Sequence, residues 1–368
     1  MPLTRPLLRY LLSPMSKRSV SAVIVFLLAT VGMLVATGLA RGQSFDKTLY
    51  VNADTGSDNN SGTEAEPLRT IQEAMNRATE NKNAGQSTHV MIAPGVYREA
   101  VEFAYSNYDG GGTNAPVLVE GAGPEETVIK GSEVFEGWES EGGGLFSHEW
   151  SKDWGVADDP TGGYIEDCEA HPNFCADTPE LVLRREMVFV DGERMRQVLS
   201  NGAMEPGTFR VDENTDKLYL QPPTGADLSE ALVEVAVRSK GWMTRAENNF
   251  TLQSLGVKHV ATPWVYGKAA FTFWGDGNRL SDVAVVQNNF EGLSVSGQNI
   301  EIQGFALNQN GHSGLGPFEV IDFLAEDGTV NRNNWRGALG GYTGWSPGNK
   351  FFRAHGVTVR NVVFNNNQ

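Results

Sequence analysis

The chain has 368 residues, 42 of them glycine, with 20% charged residues and a formal net charge of −16. That composition suits short strands joined by many turns and argues against a helix-rich fold. Residues 1–43 hold five basic and no acidic groups, so the remainder carries 24 basic against 45 acidic residues, a net charge of −21, which repels nucleic acid and favours neutral substrates or cations.

Arg5, Arg9, Lys17 and Arg18 precede an uncharged, mostly apolar run of 21 residues from Val20 to Ala40. A basic region, an apolar core and the small residues Gly38 and Ala40 describe a secretory signal peptide. The run is also long enough to cross a bilayer as an uncleaved anchor. Both readings stay open. Both place the rest of the chain outside the cytoplasm, secreted, periplasmic or anchored by residues 20–40, with membrane contact only through this segment.

Thr48 to Asn52 reads as a strand and Asp54 to Thr63 as a polar loop. A helix follows: Thr70 and Glu73 have capping-box spacing, and Leu68, Ile71, Ala74, Met75 and Ala78 make one apolar face. Val90 to Ile92, Val101 to Phe103, Val117 to Val119 and Thr127 to Ile129 alternate with turns as further short strands. From about Ser132 to Val237 hairpin signals take over. Met187 to Val190, the turn Asp191-Gly192 and Glu193 to Val198 make one hairpin, whose Asp-Gly pair suits a type I′ turn. Thr208 to Val211 and Lys217 to Leu220 make another. Cys168 and Cys175 close a short loop in which a disulfide is plausible outside the cytoplasm; with His171 they lack a fourth metal ligand.

A repeat then appears: an apolar residue, two more at three and five places on, and asparagine at eight. Leu280, Val283, Val285 and Asn288 carry it, as do Ile302, Phe305, Leu307 and Asn310, and Val359, Val362, Phe364 and Asn367. A weaker copy, Leu252, Leu255 and Val257, ends in Val260. The starts lie 28, 22 and 57 residues apart, so a strand, a bend and a second strand recur at the period of a stacked coil, the rungs of a parallel β-helix. The helix at 70–78 is placed to cover the open end of that coil. The asparagines are read as structural, tolerating the left-handed backbone of a bend and stacking their amides between rungs. The last copy runs into Asn365 to Gln368 without a closing segment, which predicts that the natural protein continues.

The chain resembles extracellular right-handed parallel β-helix proteins of the pectin-lyase-like superfamily. The likeness rests on Tyr50-Val51-Asn52, Thr55 to Asp58, Gly62-Thr63, Pro67-Leu68, Thr70 to Gln72 and Pro94 to Glu99. Within that group, Ile129 to Glu133, the hairpin insert, Val233 to Arg238 and Ala261 to Trp264 look most like β-helix glycosidases of the β-xylosidase type. The resemblance implies an all-β fold, a right-handed parallel β-helix with an N-terminal capping helix and an inserted antiparallel, sandwich-like β domain. It divides the chain into a leader (1–43), a cap with first rungs (47–131), an insert (132–237) and incomplete further rungs (238–368). It also implies glycoside hydrolysis by two carboxylates, on rungs that would follow Gln368, so that no position here inherits their role and the 368-residue chain alone is expected to be inactive.

Candidate residues are read from local chemistry. Asn334, Trp335 and Arg336, with Tyr342 and Trp345 in the loop that follows, could wall a carbohydrate groove, since aromatic faces pack on sugar C–H surfaces and Asn and Arg hydrogen-bond hydroxyls; the alternative is that Trp335 covers a rung and Arg336 pairs with an acid. His312, on a glycine-rich turn, is expected to meet solvent, where it could donate a proton near neutral pH. Asp322, Glu326 and Asp327 offer carboxylates for acid and base steps. A polysaccharide lyase would instead use Lys350, Arg336 or Arg353 as base, with calcium as its cofactor; a hydrolase needs none. A non-catalytic carbohydrate-binding or surface β-helix is the third reading. The expected partner in each case is a polysaccharide or oligosaccharide.

Overall fold

The computed structural model describes residues 44–104, 114–157, 179–245, 247–264, 268–338 and 348–367. The leader, the Cys168–Cys175 loop, Tyr342 and Trp345 lie outside the described residues. Among those described, no helix is long and apolar enough to cross a membrane.

The N-terminal part holds β1 (Lys47–Val51), helix α1 (Ile71–Asn83), β2 (Thr88–Ile92), β3 (Gly95–Tyr97), β4 (Val101–Ala104), β5 (Val117–Glu120) and β6 (Thr127–Lys130). Thr70 caps α1, its Oγ1 accepting from the Glu73 amide at 3.1 Å. The reciprocal half of the capping box is replaced: Asp58 accepts the Thr70 amide at 2.9 Å, while Glu73 pairs with Arg77. Glu99 takes the first-turn amides of Ile71 and Gln72 at 2.9 and 2.8 Å, using the positive end of the helix. Leu68, Ile71, Ala74, Met75 and Ala78 are all fully buried in the main core, as the apolar spacing predicts. At the far end of α1, Lys82 pairs with buried Glu247 at 2.7 Å and donates to the Asn248 carbonyl.

The segment that interrupts the coil contains β7 (Ser132–Val134), β8 (Glu139–Gly142), β9 (Leu145–Glu149), a short helix α2 (Glu180–Leu183), β10 (Val188–Val190), β11 (Glu193–Arg194), β12 (Arg196–Gln197), β13 (Thr208–Asp212), β14 (Lys217–Gln221) and β15 (Val233–Ala236). They form a four-stranded sheet, β11-β10-β15-β7, and a five-stranded sheet, β12-β13-β14-β9-β8. Both feed one apolar core through Trp150, Val188, Val190, Phe209, Leu218, Leu220, Val233 and Val235. Asp191 and Gly192 have φ of 51° and 82°, the two left-handed residues that a type I′ turn requires. The strand after that turn does not run to Val198 in one sheet. At Met195 it crosses over, so β11 pairs with β10 and β12 pairs with β13. The β8–β9 hairpin, joined through Gly143 and Gly144, is not signalled by alternation. The four-stranded sheet is tied to the first rungs by Glu234, 1% exposed, which accepts from Lys130 at 2.9 and 2.8 Å and pairs with Arg98 at 2.7 Å.

The coil continues as β16 (Trp242–Arg245), β17 (Phe250–Lys258), β18 (Ala269–Trp274), β19 (Arg279–Val286), β20 (Glu291–Ala306), β21 (Ser313–Asn331), β22 (Gly348–Asn349) and β23 (Thr358–Asn365). All pair in parallel in a 14-stranded curled sheet with β1 to β6. The register superimposes the sequence copies: Leu252 on Leu280 on Ile302, then Leu255 on Val283 on Phe305. It also places an unrecognised copy between Ile302 and Val359. Ala325, Gly328, Val330 and Asn333 have the same spacing and stack on both neighbours, so the 57-residue interval is two coils. Gly328 hides this copy because a side chain there has no room: a Cβ would come within 2.3 Å of the Phe305 ring.

The bend of each coil sits two places after the first apolar residue, where Ser254, Asp282, Gly304, Asp327 and Asn361 have φ of 58°, 50°, 63°, 55° and 53°. At the asparagine corner the left-handed residues are those just before the asparagines, Gln287, Gln309, Arg332 and Asn366, which corrects the expectation that the asparagines themselves take that geometry. Their stacking is continuous. Asn288 Nδ2 donates to Asn310 Oδ1 at 3.0 Å, Asn310 to Asn333 at 3.1 Å and Asn333 to Asn367 at 3.0 Å. Each amide also donates to a carbonyl of the preceding coil, that of Val257, Val285, Leu307 or Val330. Asn288 Oδ1 ends the ladder on the amide of Val260, the residue that stands where the weak copy lacks asparagine.

Candidate functional site

The loop-wall residues bind the insert to the coil. Arg336 donates from Nε to Asn289 Oδ1 at 2.9 Å, from Nη1 to the Leu181 carbonyl and Gln197 Oε1 at 3.0 and 2.7 Å, and from Nη2 to the Glu186 carbonyl at 2.9 Å. Burial pushes its guanidinium down to about 9. Trp335 carries the guanidinium groups of Arg194 and Arg336 against its ring, 3.7 and 4.5 Å from its centre, and donates to the Asn288 carbonyl. The amide of Asn334, 2% exposed, closes on the backbone of Ala338 in both directions. The sugar-facing role expected of Asn334, Trp335 and Arg336 is therefore corrected: their polar atoms are turned to protein partners.

His312 is also corrected. It is fully buried, stacked on Phe290 at 5.2 Å and set edge-on to Trp264 at 4.8 Å. Its main-chain amide donates to the Phe290 carbonyl, which holds the turn against the preceding coil. Burial, with the Lys350 charge acting the same way, pushes the imidazole down to about 3, so it is neutral at pH 7 and no proton donor there. Among the described residues, both ring nitrogens, Trp264 Nε1 and Ser313 Oγ have no hydrogen-bond partner.

The carboxylates scatter. Asp322 is an exposed left-handed corner residue. Glu326 is held by Arg360 through contacts of 2.5 and 2.7 Å. Asp327 accepts from Asn361 at 3.1 Å and lines an open groove with Asp282, on the opposite side of Gly304.

A different face gathers polar and aromatic side chains. In β16, β18, β20 and β21, Trp242, Phe271, Leu293 and Leu315 stack in register and are buried in the core. Alternation then directs Met243, Thr272, Ser294 and Gly316 outward as one column, and Arg245, Trp274, Ser296 and Phe318 as the next. Thr272 and Ser294 are nevertheless 5% and 4% exposed. Glu291, 4% exposed, lays its carboxylate across this face: a Cβ at Gly316 would lie 2.1 Å from Glu291 Oε1, so a side chain there would displace the carboxylate. The Trp274 indole donates to Ser294 Oγ at 3.3 Å and so joins the two columns.

None of Glu291, Trp274 or Phe318 stood out in the sequence. The one available signal was strand parity: in Phe271-Thr272-Phe273-Trp274 the inward phenylalanines assign Thr272 and Trp274 to the outside.

No protein-family model matches the chain, and no curated protein matches it by sequence. Solved structures do. One described as the complex of XylC with xylose superimposes with a TM-score of 0.61 at 15% identity, covering 87% of this chain and 62% of that one. A structure described as a glycoside hydrolase follows at 0.46, with 10% identity and coverage of 87% and 97%. The lacto-N-biosidase of family GH136 from Eubacterium ramulus gives 0.41, with 11% identity and coverage of 96% and 61%. The chain thus spans less than two thirds of the XylC length. Parallel register, stacked rungs, capping helix and antiparallel insert together give the architecture of a right-handed parallel β-helix.

Proposed function

We propose that this is an extracytoplasmic carbohydrate-active β-helix protein, a glycoside hydrolase acting on an oligosaccharide or polysaccharide, with its catalytic carboxylates on rungs beyond Gln368. The observation that carries this reading is the outward face of β18, β20 and β21, where Trp274, Ser296 and Phe318 are part-exposed beside the covered Glu291, Thr272 and Ser294. Aromatic rings and a hydroxyl on a rigid sheet are groups that recognise sugars: the rings pack on C–H faces and the hydroxyl hydrogen-bonds ring hydroxyls. The likeness to a structure solved with xylose adds xylose-containing glycans to the substrates to be tried first.

The test is product release from xylo-oligosaccharides and a wider glycan panel by a chain extended past Gln368. Hydrolysis there, with none by the 368-residue chain, supports the reading. Absence of product from every glycan sinks it. Lys350, whose ammonium is pushed down by burial, favours a polysaccharide lyase as second reading, because a depressed lysine is a better base. Arg336 is spent on protein acceptors and Arg353 pairs with Glu319 at 2.6 Å. Unsaturated, ultraviolet-absorbing product ends, formed with calcium, would identify that activity.

A further inference from the structure

The outward column next to Glu291 is a stack of planar groups with one place left out. The Arg245 guanidinium lies over the Trp274 ring, 5.1 Å from its centre. Trp274 pairs in register with Ser296 of the next coil. Ser296 faces the bulge where β20 slips against β21 between Val295 and Gly297, and that bulge carries Phe318. Phe318 in turn stacks on Phe352 of the following coil at 5.5 Å, the two rings only 2° from parallel, and Lys350 and Arg353 lie over Phe352 at 5.4 and 5.2 Å. Arg245, Trp274, Phe318 and Phe352 therefore follow one another along the coil axis, with a small hydroxyl side chain at the one position between Trp274 and Phe318.

Strands in a sheet are about 4.8 Å apart, so the backbones that carry Trp274 and Phe318, two coils apart, are separated by about 9.6 Å along the axis. Carbon atoms in contact lie about 4 Å apart, so a ring held between two aromatic faces uses about 8 Å of that separation. A flat ring would leave slack. A chair-shaped ring, whose puckered carbons present C–H bonds on both faces, takes up the remainder.

We propose that Trp274, Ser296 and Phe318 form a subsite for one neutral pyranose ring, held between the indole and the phenyl ring over the Ser296 hydroxyl. The Glu291 carboxylate and Ser294 Oγ lie in the adjoining outward column, one strand repeat of about 6.8 Å along the same strands; both are covered there, and Ser294 Oγ accepts from the Trp274 indole, which fixes that ring beside the subsite. The assignment rests on the carbohydrate-active reading and adds to it the position and ring type of one bound unit.

The experiment is calorimetric titration of the 368-residue chain with xylotriose, cellotriose and mannotriose, alongside Ser296→Phe and Trp274→Ala. Ser296→Phe fills the place between Trp274 and Phe318 and is expected to weaken binding at least tenfold while leaving the melting temperature unchanged or higher, which separates loss of the subsite from loss of the fold. Trp274→Ala is expected to weaken binding by a similar factor. Binding by Ser296→Phe within twofold of the parent overturns the subsite, as does parent protein that binds none of the three sugars. The carbohydrate-active reading is judged separately, by hydrolysis with the extended chain: product formed equally well by the extended parent and its Ser296→Phe variant leaves that reading standing while the subsite falls.

Discussion

Two columns of side chains climb this coil at the same rung spacing, and they differ in one respect. The asparagine column is continuous from Asn288 to Asn367: every amide donates to a backbone carbonyl, and each of the first three also donates to the next amide. The aromatic column is interrupted: Arg245 and Trp274 stack, Ser296 breaks the series, and Phe318 and Phe352 resume it. The inward column is closed chemically and has nothing left to offer a ligand. The outward one sets a serine between Trp274 and Phe318, the place proposed above for a sugar ring. In a stacked fold, a repeat that is kept marks structure, and a repeat that is broken marks a place for something else.

That contrast breaks most sharply at the centre of the ladder. Asn310→Ala removes the acceptor of the Asn288 side-chain and main-chain amides and strips a donor from the Val285 carbonyl, all of them buried, while Asn333 Oδ1 keeps the Asn310 main-chain amide. Leaving buried polar groups unpaired costs about 1–3 kcal/mol each, so a loss of about 3 kcal/mol or more is expected in urea unfolding. A loss below about 1 kcal/mol would show the ladder to be decorative.

His312 gives the next effect. Its folded pKa of about 3 lies below the ordinary 6.5, so between those values the unfolded chain binds a proton that the folded chain refuses. Stability is then complete above about pH 6.5 and falls as the pH drops towards 3. His259, also pushed down to about 3 by burial, contributes in the same direction. His312→Phe, which keeps the stack with Phe290, is expected to flatten this acid slope in denaturation series from pH 7 to 4; an unchanged slope would mean that His312 does not titrate abnormally.

Gly328→Ala sharpens the account of the hidden coil. Its new methyl meets the Phe305 ring, and overpacking of this kind costs about 1–3 kcal/mol. Phe305→Leu in the same chain should recover part of it, and additive losses would count against the clash. The smallest effect belongs outside both columns: Thr70→Ala removes the cap of α1 and is expected to cost about 1 kcal/mol, read as a modest fall in melting temperature.

The coil was legible from sequence because its core positions recur at fixed spacing, and parallel strands stack equal positions on one another. Leu252, Leu280 and Ile302 are one column both in the sequence pattern and in space. The copy at Ala325 escaped because Gly328 yields its volume to Phe305, a contact between coils that no single repeat contains. The candidate site was less legible. Trp335 and Arg336 read alike whether they wall a groove or clamp an insert, and only the acceptors at Leu181, Glu186 and Gln197 decide for the clamp. His312 looked exposed because glycines flank it, yet Phe290 and Trp264 come from other coils to cover it.

Sequence alone determined the short-strand composition, the repeat, the capping helix and the antiparallel character of the insert, since each follows from local spacing and from propensities that act within a few residues. Tertiary structure decided which outward residues share a column. Trp274, Ser296 and Phe318 are 22 residues apart at each step and unlike in chemistry, so nothing links them along the chain. They become neighbours only when the coil closes and sets each strand about 4.8 Å from the next.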